Sequence, residues 1–366
     1  MVSSYDEWSP LEAAIVGTAH GACAPMLDPI IRACVSPRNL PLLERYGGGP
    51  FPPEMLESAE RELDGLAEFL RQEGIAVHRP DPIDHCQSFA TPEFASRGLY
   101  AAMPRDLLAI LGDTVLEASM GWRQRHFEYR AYRGILNRCA CEGAGWLCAP
   151  KPLKGDDLYR WDYGADSPRA RNLQAAAGRF VTTEAEPCLD AADMVRCGRD
   201  IFIQRSQVTN LAGIRWIRRH LPSEFRLHRL SFDDPNPMHL DSTIMPLRPG
   251  LLLVNPTRPC HQKELFRRAG WAMVDAPAPA LPDDWPLFLS SPWLSMNLLV
   301  LDPGRVIVER QELPTIRLLR SLGFETVELP FRHVYTLGGG FHCATCDLRR
   351  RGGMGDYGFP APDILE

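Results

Sequence analysis

Apolar and polar positions follow one short pattern at several places along the chain: a stretch with helical spacing ends at a glycine, and a short β-type run follows at once. In the first copy, apolar residues from Leu56 to Leu70 recur three or four positions apart, and Gly74 precedes the run 75–77. Glycine suits the left-handed backbone position just past the end of a helix, so it marks where each helix stops. Further copies span residues 265–274, residues 316–329 and, with Pro222 in place of the glycine, residues 212–230.

Strand-like runs lie between these copies, at residues 13–16, 200–204, 251–254 and 298–301. Repeated supersecondary units of this kind bury their apolar faces against their neighbours. The copies are unevenly spaced, which argues against a regular solenoid and favours a closed ring of β/α modules or a doubly wound sheet. We therefore predict an α/β fold. Because no low-complexity linker interrupts the chain, we predict a single domain over residues 1–366.

Four insertions separate the modules, at residues 21–53, 85–96, 150–178 and 276–292. Loops of this length in a compact domain are usually functional or cover a site. The first insertion, residues 21–53, is the best candidate for such a cover.

Charge and composition narrow the class of protein. The chain has 366 residues, 40 of them basic and 46 acidic, and a net charge of -6; it has no electrostatic footprint for nucleic acid or an anionic membrane. The first residues lack the basic and apolar segments of a secretory signal, and no apolar run approaches the ~18 residues of a membrane span. The chain has eleven cysteines, an odd number that cannot all pair in disulfide bonds within one chain. In a chain of this size we therefore expect reduced thiols and a cytoplasmic protein.

Cys343 and Cys346 form a C-x-x-C motif that follows three glycines and admits three interpretations. Together with Cys139, Cys141 and Cys148 it offers thiols for a zinc site, although a structural zinc site normally shows two evenly spaced ligand pairs. Alone it resembles a redox pair, but it does not open a helix of the thioredoxin type. A cysteine on a glycine-flanked loop is also a candidate nucleophile that a ligand can approach closely. Residue composition leaves the three interpretations open.

A nucleophilic cysteine needs a group that handles protons, and that group needs an orienting partner. His239 is the best candidate among the ten histidines, because Asp241 follows two residues later and shares its face if the segment is extended. Asp190 or Asp193 could orient the imidazole. Helix capping is the competing interpretation of that pair and fits Asp193 better than Asp190.

Long, ordered stretches of the chain carry a family resemblance. They are residues 5–11, 101–106, 127–133, 190–193, 198–202, 204–210, 234–239, 255–259, 293–297 and 337–343. Through them the chain resembles the arginine:glycine amidinotransferase family over nearly its whole length. The resemblance implies a five-bladed α/β-propeller with pseudo-fivefold symmetry, no metal and no organic cofactor. It also implies small-molecule substrates and, by analogy, a homodimer.

The same resemblance assigns roles to individual residues. Cys343 is implied as the nucleophile, His239 as the acid and base, and Asp190 as the carboxylate that orients it. The implied substrate contacts are Asp106 and Asp241 for the guanidinium, Arg258, Ser290 and Ser291 for the amino-acid end, and Asn236 and Met238 as features of the glycine-using branch. Cys346 then has no catalytic part.

The implied reaction moves the amidino group of L-arginine to Cys343 and from there to an amine. A guanidinium or imidazolium near the thiol should lower its pKa and supply thiolate. Glycine is the first choice of acceptor, with lysine or another ω-amino acid next. An arginine deiminase that makes citrulline, and a non-catalytic zinc or scaffold protein, are the rivals. Ala344, Pro292 and the residues after Gly355 depart from the family pattern, and the first two adjoin groups that bear on the choice of acceptor.

Overall fold

The computed structural model describes residues 2–164 and 167–362, and its strands form five three-stranded sheets and one hairpin within that part of the chain. The strands are β1 (Leu11–Val16), β2 (Ala76–His78), β3 (Ser88–Ala90), β4 (Ala95–Arg97), β5 (Leu108–Leu111), β6 (Thr114–Glu117), β7 (Gly145–Cys148), β8 (Met194–Cys197), β9 (Asp200–Gln204), β10 (Arg226–Leu230), β11 (Ile244–Arg248), β12 (Leu251–Val254), β13 (Ala272–Asp275), β14 (Leu299–Asp302), β15 (Arg305–Glu309), β16 (Glu325–Leu329) and β17 (Thr345–Arg350). The helices are α1 (Pro29–Cys34), α2 (Leu40–Tyr46), α3 (Pro53–Gln72), α4 (Pro104–Leu107), α5 (Arg133–Cys141), α6 (Pro168–Ala176), α7 (Leu211–His220), α8 (Lys263–Arg268), α9 (Leu313–Ser321) and α10 (Arg332–Thr336).

Each three-stranded sheet is built by the same ββαβ connection. Strand β5 pairs antiparallel with β6, the chain returns through α5, and β7 then pairs parallel with β6. The order repeats in β8–β10 with α7, in β11–β13 with α8, and in β14–β16 with α9. In the remaining sheet, β17 pairs antiparallel with β1, and β2 pairs parallel with β1 after α3. The two ends of the chain therefore share a blade and close the ring, which confirms the five-bladed α/β-propeller with pseudo-fivefold symmetry.

The repeated sequence pattern corresponds to the outer half of each blade. The helical stretches predicted before residues 75, 271 and 324 are α3, α8 and α9, and each is followed by the third strand of its blade. Gly74, Gly270 and Gly323 adopt φ values of +77°, +74° and +87°, the left-handed position predicted for them. The closed ring is therefore correct, and the doubly wound sheet is not.

The core lies between these helices and the inner strands. Helix α3 buries Ala59, Leu63, Leu66 and Leu70, which recur at helical spacing on one face. Burying a leucine side chain stabilises the fold by about 1.5–3 kcal/mol. The first strands β5 and β8 are buried at every position, and β11, β14 and β17 at all but one, because their neighbours in the ring cover them.

A cluster of buried charges ties the N-terminal segment to the centre of the propeller. Arg196 donates to both carboxylate oxygens of Glu7, at 2.8 and 2.7 Å, and to Asp347 at 2.6 Å. Arg105 forms ion pairs with the same two carboxylates. Burial opposes ionisation, but the arginines outweigh it and hold the pKa values of Glu7 and Asp347 well below their usual range. Removing one partner from a buried set of this kind costs about 3–5 kcal/mol.

The insertions add elements outside the five blades. Residues 21–53 contain α1 and α2, residues 85–96 contain β3 and the start of β4, and residues 150–178 contain α6. Within the third of these, residues 165 and 166 lie outside the described part of the chain, as do residues 363–366 of the C-terminal departure. No helix among the described residues has the length and apolar character needed to cross a membrane.

Candidate active site

The chemistry-bearing side chains lie where the chain enters the inner strand of each blade. Asp106 precedes β5, Asp190 precedes β8, Asp241 precedes β11, Asn297 precedes β14 and Cys343 precedes β17, each by two to four residues. Five segments that are far apart in sequence therefore converge at one end of the pseudo-fivefold axis. This convergence brings together the predicted nucleophile and the carboxylates assigned to it.

The loop before β17 presents Cys343 through contacts with Asn297. The Asn297 Oδ1 accepts hydrogen bonds from the backbone N–H groups of Gly340, at 3.1 Å, and Cys343, at 2.8 Å, while its Nδ2 donates to the Cys343 Sγ at 3.2 Å. A side chain at Gly339 would overlap Met103 and the Cys343 Cβ. The glycines therefore let the loop pack closely against the nucleophile.

The Cys343 thiol lies in an electrostatic environment that opposes its ionisation. It is 2% exposed, and its Sγ donates to Asp241 Oδ2 at 3.4 Å. Burial, reinforced by the charges of Asp241 and Asp106, raises the pKa of Cys343 well above its usual value. The sequence-based expectation of a lowered thiol pKa therefore does not hold, because burial and the two carboxylates act in the opposite direction.

His239 faces Cys343 across the same pocket and lies between two carboxylates. Its Nε2 is 3.3 Å from Asp190 Oδ2, and its Nδ1 is 3.6 Å from Asp106 Oδ1. Burial alone would lower the pKa of His239, but the charge of Asp106 and the hydrogen bond to Asp190 outweigh it and raise the pKa to about 10. His239 is therefore an imidazolium at neutral pH.

The backbone at His239 is held in an unusual conformation. Its φ is +57°, in a region that residues with a Cβ rarely adopt. The backbone N–H donates to Asp193 Oδ1 at 3.0 Å, and Asp193 also accepts from Gln204 and Ser206. Asp193 thus stabilises the loop, whereas the hydrogen bond to the imidazole comes from Asp190. This division agrees with the sequence interpretation, which preferred Asp190 as the orienting carboxylate.

Asp190 is itself fixed in place by its surroundings. The Trp122 Nε1 donates to Asp190 Oδ2 at 2.7 Å, and the Asp190 backbone N–H donates to Thr209 Oγ1 at 3.0 Å. Asp106 is fixed in a similar way, because Arg125 Nη1 donates to its Oδ2 at 2.7 Å. Burial raises the pKa of Asp106, although His239 and Arg125 partly offset that effect.

Three carboxylate oxygens in this site are buried and lack a hydrogen-bond partner among the described residues: Asp106 Oδ1, Asp190 Oδ1 and Asp241 Oδ1. Buried acceptors without partners are costly and rare in folded proteins, so a group of them indicates a ligand that donates. A planar cation with several N–H groups satisfies carboxylates in this arrangement. The predicted guanidinium contacts, Asp106 and Asp241, are both in this set.

A metal ion is the competing ligand for the site. Within the described residues, Asp106, His239 and Cys343 form one group whose potential ligand atoms lie within 4.8 Å of one another. The three unpartnered carboxylate oxygens belong to three aspartates, and two of these are outside this group. A planar cation with several N–H groups therefore fits the site better than a metal ion held by Asp106, His239 and Cys343.

The other cysteines of the zinc and redox interpretations lie elsewhere. Cys346 is buried on β17, and its Sγ donates to the backbone carbonyl of Leu108 at 3.6 Å. Cys139, Cys141 and Cys148 belong to α5 and β7, on the outer part of another blade. All of them are free thiols. The C-x-x-C motif therefore combines the candidate nucleophile, Cys343, with Cys346, a buried residue of the strand that follows.

A cavity of about 540 Å³ leads to Cys343. On one wall, Arg258 donates to Thr243 Oγ1 and to Ser291 Oγ, both at 3.1 Å, and its Nε is 3.1 Å from Asp234. The Ser290 Oγ is buried without a partner among the described residues. The remaining predicted substrate contacts, Asn236 and Met238, also line the cavity.

Three of the four insertions contribute to the walls of this cavity. Residues 21–53 contribute Cys34, Ser36, Arg38 and Asn39, residues 150–178 contribute Asn172, and residues 276–292 contribute Ser290, Ser291 and Pro292. The buried Asn39 Nδ2 has no hydrogen-bond partner among the described residues. This geometry agrees with the prediction that residues 21–53 cover the site.

Sequence reasoning did not single out Asn297, His342, Arg125 or Trp122. Asn297 and His342 lie inside stretches that carry the family resemblance, but nothing local distinguishes an asparagine that binds a distant loop. Arg125 donates to Glu128 as well as to Asp106. The three-residue spacing between Arg125 and Glu128 predicts a helical ion pair. No spacing in the sequence predicts the contact between Arg125 and Asp106.

The five-bladed fold, with a buried cysteine, a histidine and carboxylates at its axis, defines a class of enzymes that use cysteine to modify planar cationic groups. No protein-family model matches the chain. The chain is 50% identical over 356 residues to the mitochondrial glycine amidinotransferase of Gallus gallus, a match that covers 97% of this chain and 84% of that protein. It is 42% identical to the L-arginine:L-lysine amidinotransferase of Pseudomonas savastanoi pv. phaseolicola, over 97% of this chain and 96% of that protein.

A solved structure gives the same result. An amidinotransferase of the saxitoxin biosynthetic pathway from Microseira wollei superposes with a TM-score of 0.87 at 41% identity, over 97% of this chain and 99% of that one. The chain therefore belongs to the arginine:glycine amidinotransferase family and is an amidinotransferase.

Proposed function

We propose that this enzyme moves the amidino group of L-arginine to glycine and releases L-ornithine and guanidinoacetate. The observation that carries the proposal is the placement of Cys343 and His239 among three buried carboxylates, each with an oxygen that lacks a partner among the described residues. The choice of glycine is supported by the higher identity to glycine amidinotransferases than to the lysine enzyme. Asn236 and Met238, which line the cavity, are the residues that resemble the glycine-using branch.

In this proposal the guanidinium of arginine binds first and changes the state of the thiol. Asp106 and Asp241 accept its N–H groups, and Arg258 with Ser290 and Ser291 binds the carboxylate at the other end of the substrate. The guanidinium charge offsets the two carboxylates that raise the pKa of Cys343. Arginine binding therefore favours the thiolate, so that the nucleophile forms when its target is present.

The first half-reaction forms a bond between Cys343 Sγ and the guanidinium carbon. The tetrahedral adduct collapses when its bond to the substrate Nε breaks. That nitrogen takes one proton from the His239 imidazolium and one that originates from the thiol, and it leaves as the δ-ammonium of ornithine. Cys343 keeps the amidino group as a cationic isothiouronium, and His239 is left neutral.

The second half-reaction reverses these roles. The neutral His239 removes a proton from the ammonium of the acceptor, and the free amine attacks the amidino carbon. The carbon–sulfur bond breaks, the second amine proton returns to Cys343 as the thiol, and the product leaves as a guanidinium. His239 is an imidazolium again, so the cycle closes without an added acid, base or redox partner.

The acceptor is tested by measuring initial rates with arginine and each of glycine, lysine and β-alanine. We expect the highest kcat/KM with glycine, with ornithine and guanidinoacetate formed in equal amounts. A higher kcat/KM with lysine would reassign the enzyme to homoarginine formation. Citrulline formed from arginine alone would indicate a deiminase, and absence of turnover with tightly bound zinc would indicate a binding protein.

We propose that residues 21–53 cover the site and so determine whether the amidino-cysteine reacts with the acceptor or with water. Replacing Ser36 and Asn39 by glycine opens the cavity wall, so we expect more urea relative to guanidinoacetate, because water reaches the amidino-cysteine. Both products are quantified by chromatography from one reaction. Replacing Ser88, in an insertion that does not line the cavity, is the matched control. An unchanged product ratio in the first variant would remove the covering role.

We also propose that the enzyme works in a reducing compartment such as the cytoplasm. The support is that all eleven cysteines are free thiols, as expected where glutathione keeps thiols reduced. The relative in Gallus gallus carries a mitochondrial designation. Fractionation of cells that express the native gene, followed by immunodetection, distinguishes the two compartments.

A further inference from the structure

His342, the residue before the nucleophile, lies between two buried carboxylates. Its Nδ1 is 2.7 Å from Asp241 Oδ2, and its Nε2 is 3.0 Å from Glu7 Oε2. The side chain is fully buried. Neither the family resemblance nor the proposed cycle assigns a task to this imidazole, although it contacts a carboxylate that also contacts Cys343 Sγ.

The hydrogen-bond partners hold this imidazole in one orientation. Burial would raise the pKa of Asp241, but the hydrogen bond from His342 outweighs it and lowers that pKa, and the pKa of Glu7 is held well below its usual range by Arg196 and Arg105 against the effect of burial. Both carboxylates are therefore ionised and only accept hydrogen bonds. The His342 Nδ1 accordingly donates to Asp241 Oδ2.

We propose that His342 is a positioning residue for arginine: its Nδ1–H holds Asp241 with Oδ2 beside the nucleophile and leaves Oδ1 for the substrate guanidinium. The inference rests on the proposed function, because it requires that Asp241 bind the guanidinium. It adds a residue to that function, since His342 does not touch the substrate and acts through Asp241.

The other charged groups near His342 do not replace it. Arg105 Nε donates to the backbone carbonyl of His342 at 3.0 Å, but the charged end of Arg105 is bound to Glu7 and Asp347. Arg196 is bound to the same two carboxylates. On the cavity side, His239 contributes its charge to Asp241 without a hydrogen bond to it. Asp241 Oδ2 therefore has the His342 N–H and the Cys343 thiol as its hydrogen-bond donors.

The two histidines beside the nucleophile consequently have different tasks. His239 has one nitrogen directed to Asp190 and faces the cavity, so it can give up a proton and regain it during the cycle. Both nitrogens of His342 are bound to the buried carboxylates Asp241 and Glu7, so no ring nitrogen is left for the substrate. One histidine moves protons, and the other fixes the orientation of Asp241.

The test compares His342→Asn with His228→Asn. His228 is a second buried histidine paired with an aspartate, Asp200, at 2.7 Å, on a blade strand outside the cavity. Binding of L-arginine is measured by calorimetry in the Cys343→Ala background. We expect His342→Asn to weaken binding by about ten-fold to a hundred-fold, the range for losing a charged hydrogen bond, and His228→Asn to leave it unchanged. Equal effects of the two variants would reduce His342 to a structural residue and overturn the proposal.

A spectroscopic measurement keeps the proposal testable if His342→Asn does not fold. In the wild-type protein labelled with ¹⁵N-histidine, the His342 ring is identified by the signals that shift in a Glu7→Gln variant. The Nδ1 of this ring should show the chemical shift of a protonated nitrogen, because it donates to Asp241. An unprotonated Nδ1 would overturn the inference. Wild-type formation of ornithine from arginine and glycine is measured in the same preparation, so a failure of the proposed function is recognised separately.

Discussion

Replacement of Cys343 by alanine is expected to lower the rate of ornithine release by at least about 10⁴-fold, because the covalent route disappears with the nucleophile. Among the described residues, Cys34 also lines the cavity, but it belongs to α1, and burial raises the pKa of its thiol well above the usual value. Cys346 is buried on β17 and donates to a backbone carbonyl, and Asp241 Oδ2 approaches the Cys343 sulfur rather than that of Cys346. The measurement is ornithine formed from arginine in the presence and absence of glycine.

The matched control is Cys346→Ala, which should keep most of the activity. Intact-protein mass spectrometry after incubation with arginine alone gives an independent readout. The wild-type enzyme and Cys346→Ala should gain the mass of one amidino group, and Cys343→Ala should gain none. Equal loss of activity in the two cysteine variants, or an adduct that persists without Cys343, would contradict the assignment of the nucleophile.

The blades were predictable because each one is encoded locally. The apolar spacing of α3, the glycine after it and the short run that forms β2 lie within about 25 residues, and the same succession recurs at α8 and α9. What this pattern does not contain is the inner strand of each blade. In the first blade that strand is β17, which lies more than 300 residues from β1 in the sequence. Closure of the ring followed from the family resemblance rather than from periodicity.

The site was predictable in its residue types and not in its contacts. Cys343, His239 and Asp190 were named because chemistry requires a nucleophile, a proton carrier and an orienting group. Asn297 was missed because its function depends on a loop 46 positions away, to which its amide donates and from which it accepts. His342 was missed for a similar reason, since its partners Glu7 and Asp241 come from the N-terminal segment and from the loop before β11.

The thiol illustrates how structure alters a chemical expectation. Sequence reasoning placed cations near Cys343 and expected its pKa to fall. The structure places a cation, His239, across the pocket from the thiol. Burial of the thiol and the charges of Asp241 and Asp106 nevertheless raise the pKa of Cys343. The balance between like and opposite charges depends on distances that no spacing in the sequence reports. Activation of the thiol consequently depends on the arriving guanidinium.

Asp190→Asn is expected to lower kcat by about 10²–10⁴-fold, the usual contribution of a positioned acid and base. Asp190 orients His239 through the 3.3 Å contact to Nε2, and its hydrogen bond and charge help raise the pKa of that imidazole to about 10. Removing the charge lowers the pKa of His239. The imidazolium that protonates the departing amine is then lost at a lower pH, so the alkaline limb of the pH–rate profile for arginine should move towards neutrality.

The pH–rate profile separates this effect from a general loss of stability. Asp200→Asn changes a buried aspartate that pairs with a histidine, His228, away from the cavity. It should leave the alkaline limb where the wild type has it, even if the thermal midpoint falls. An Asp190→Asn enzyme with the wild-type profile would mean that Asp190 does not act on the proton of His239. Asp106, whose charge makes the larger favourable contribution to the His239 pKa, would then become the orienting carboxylate to test next.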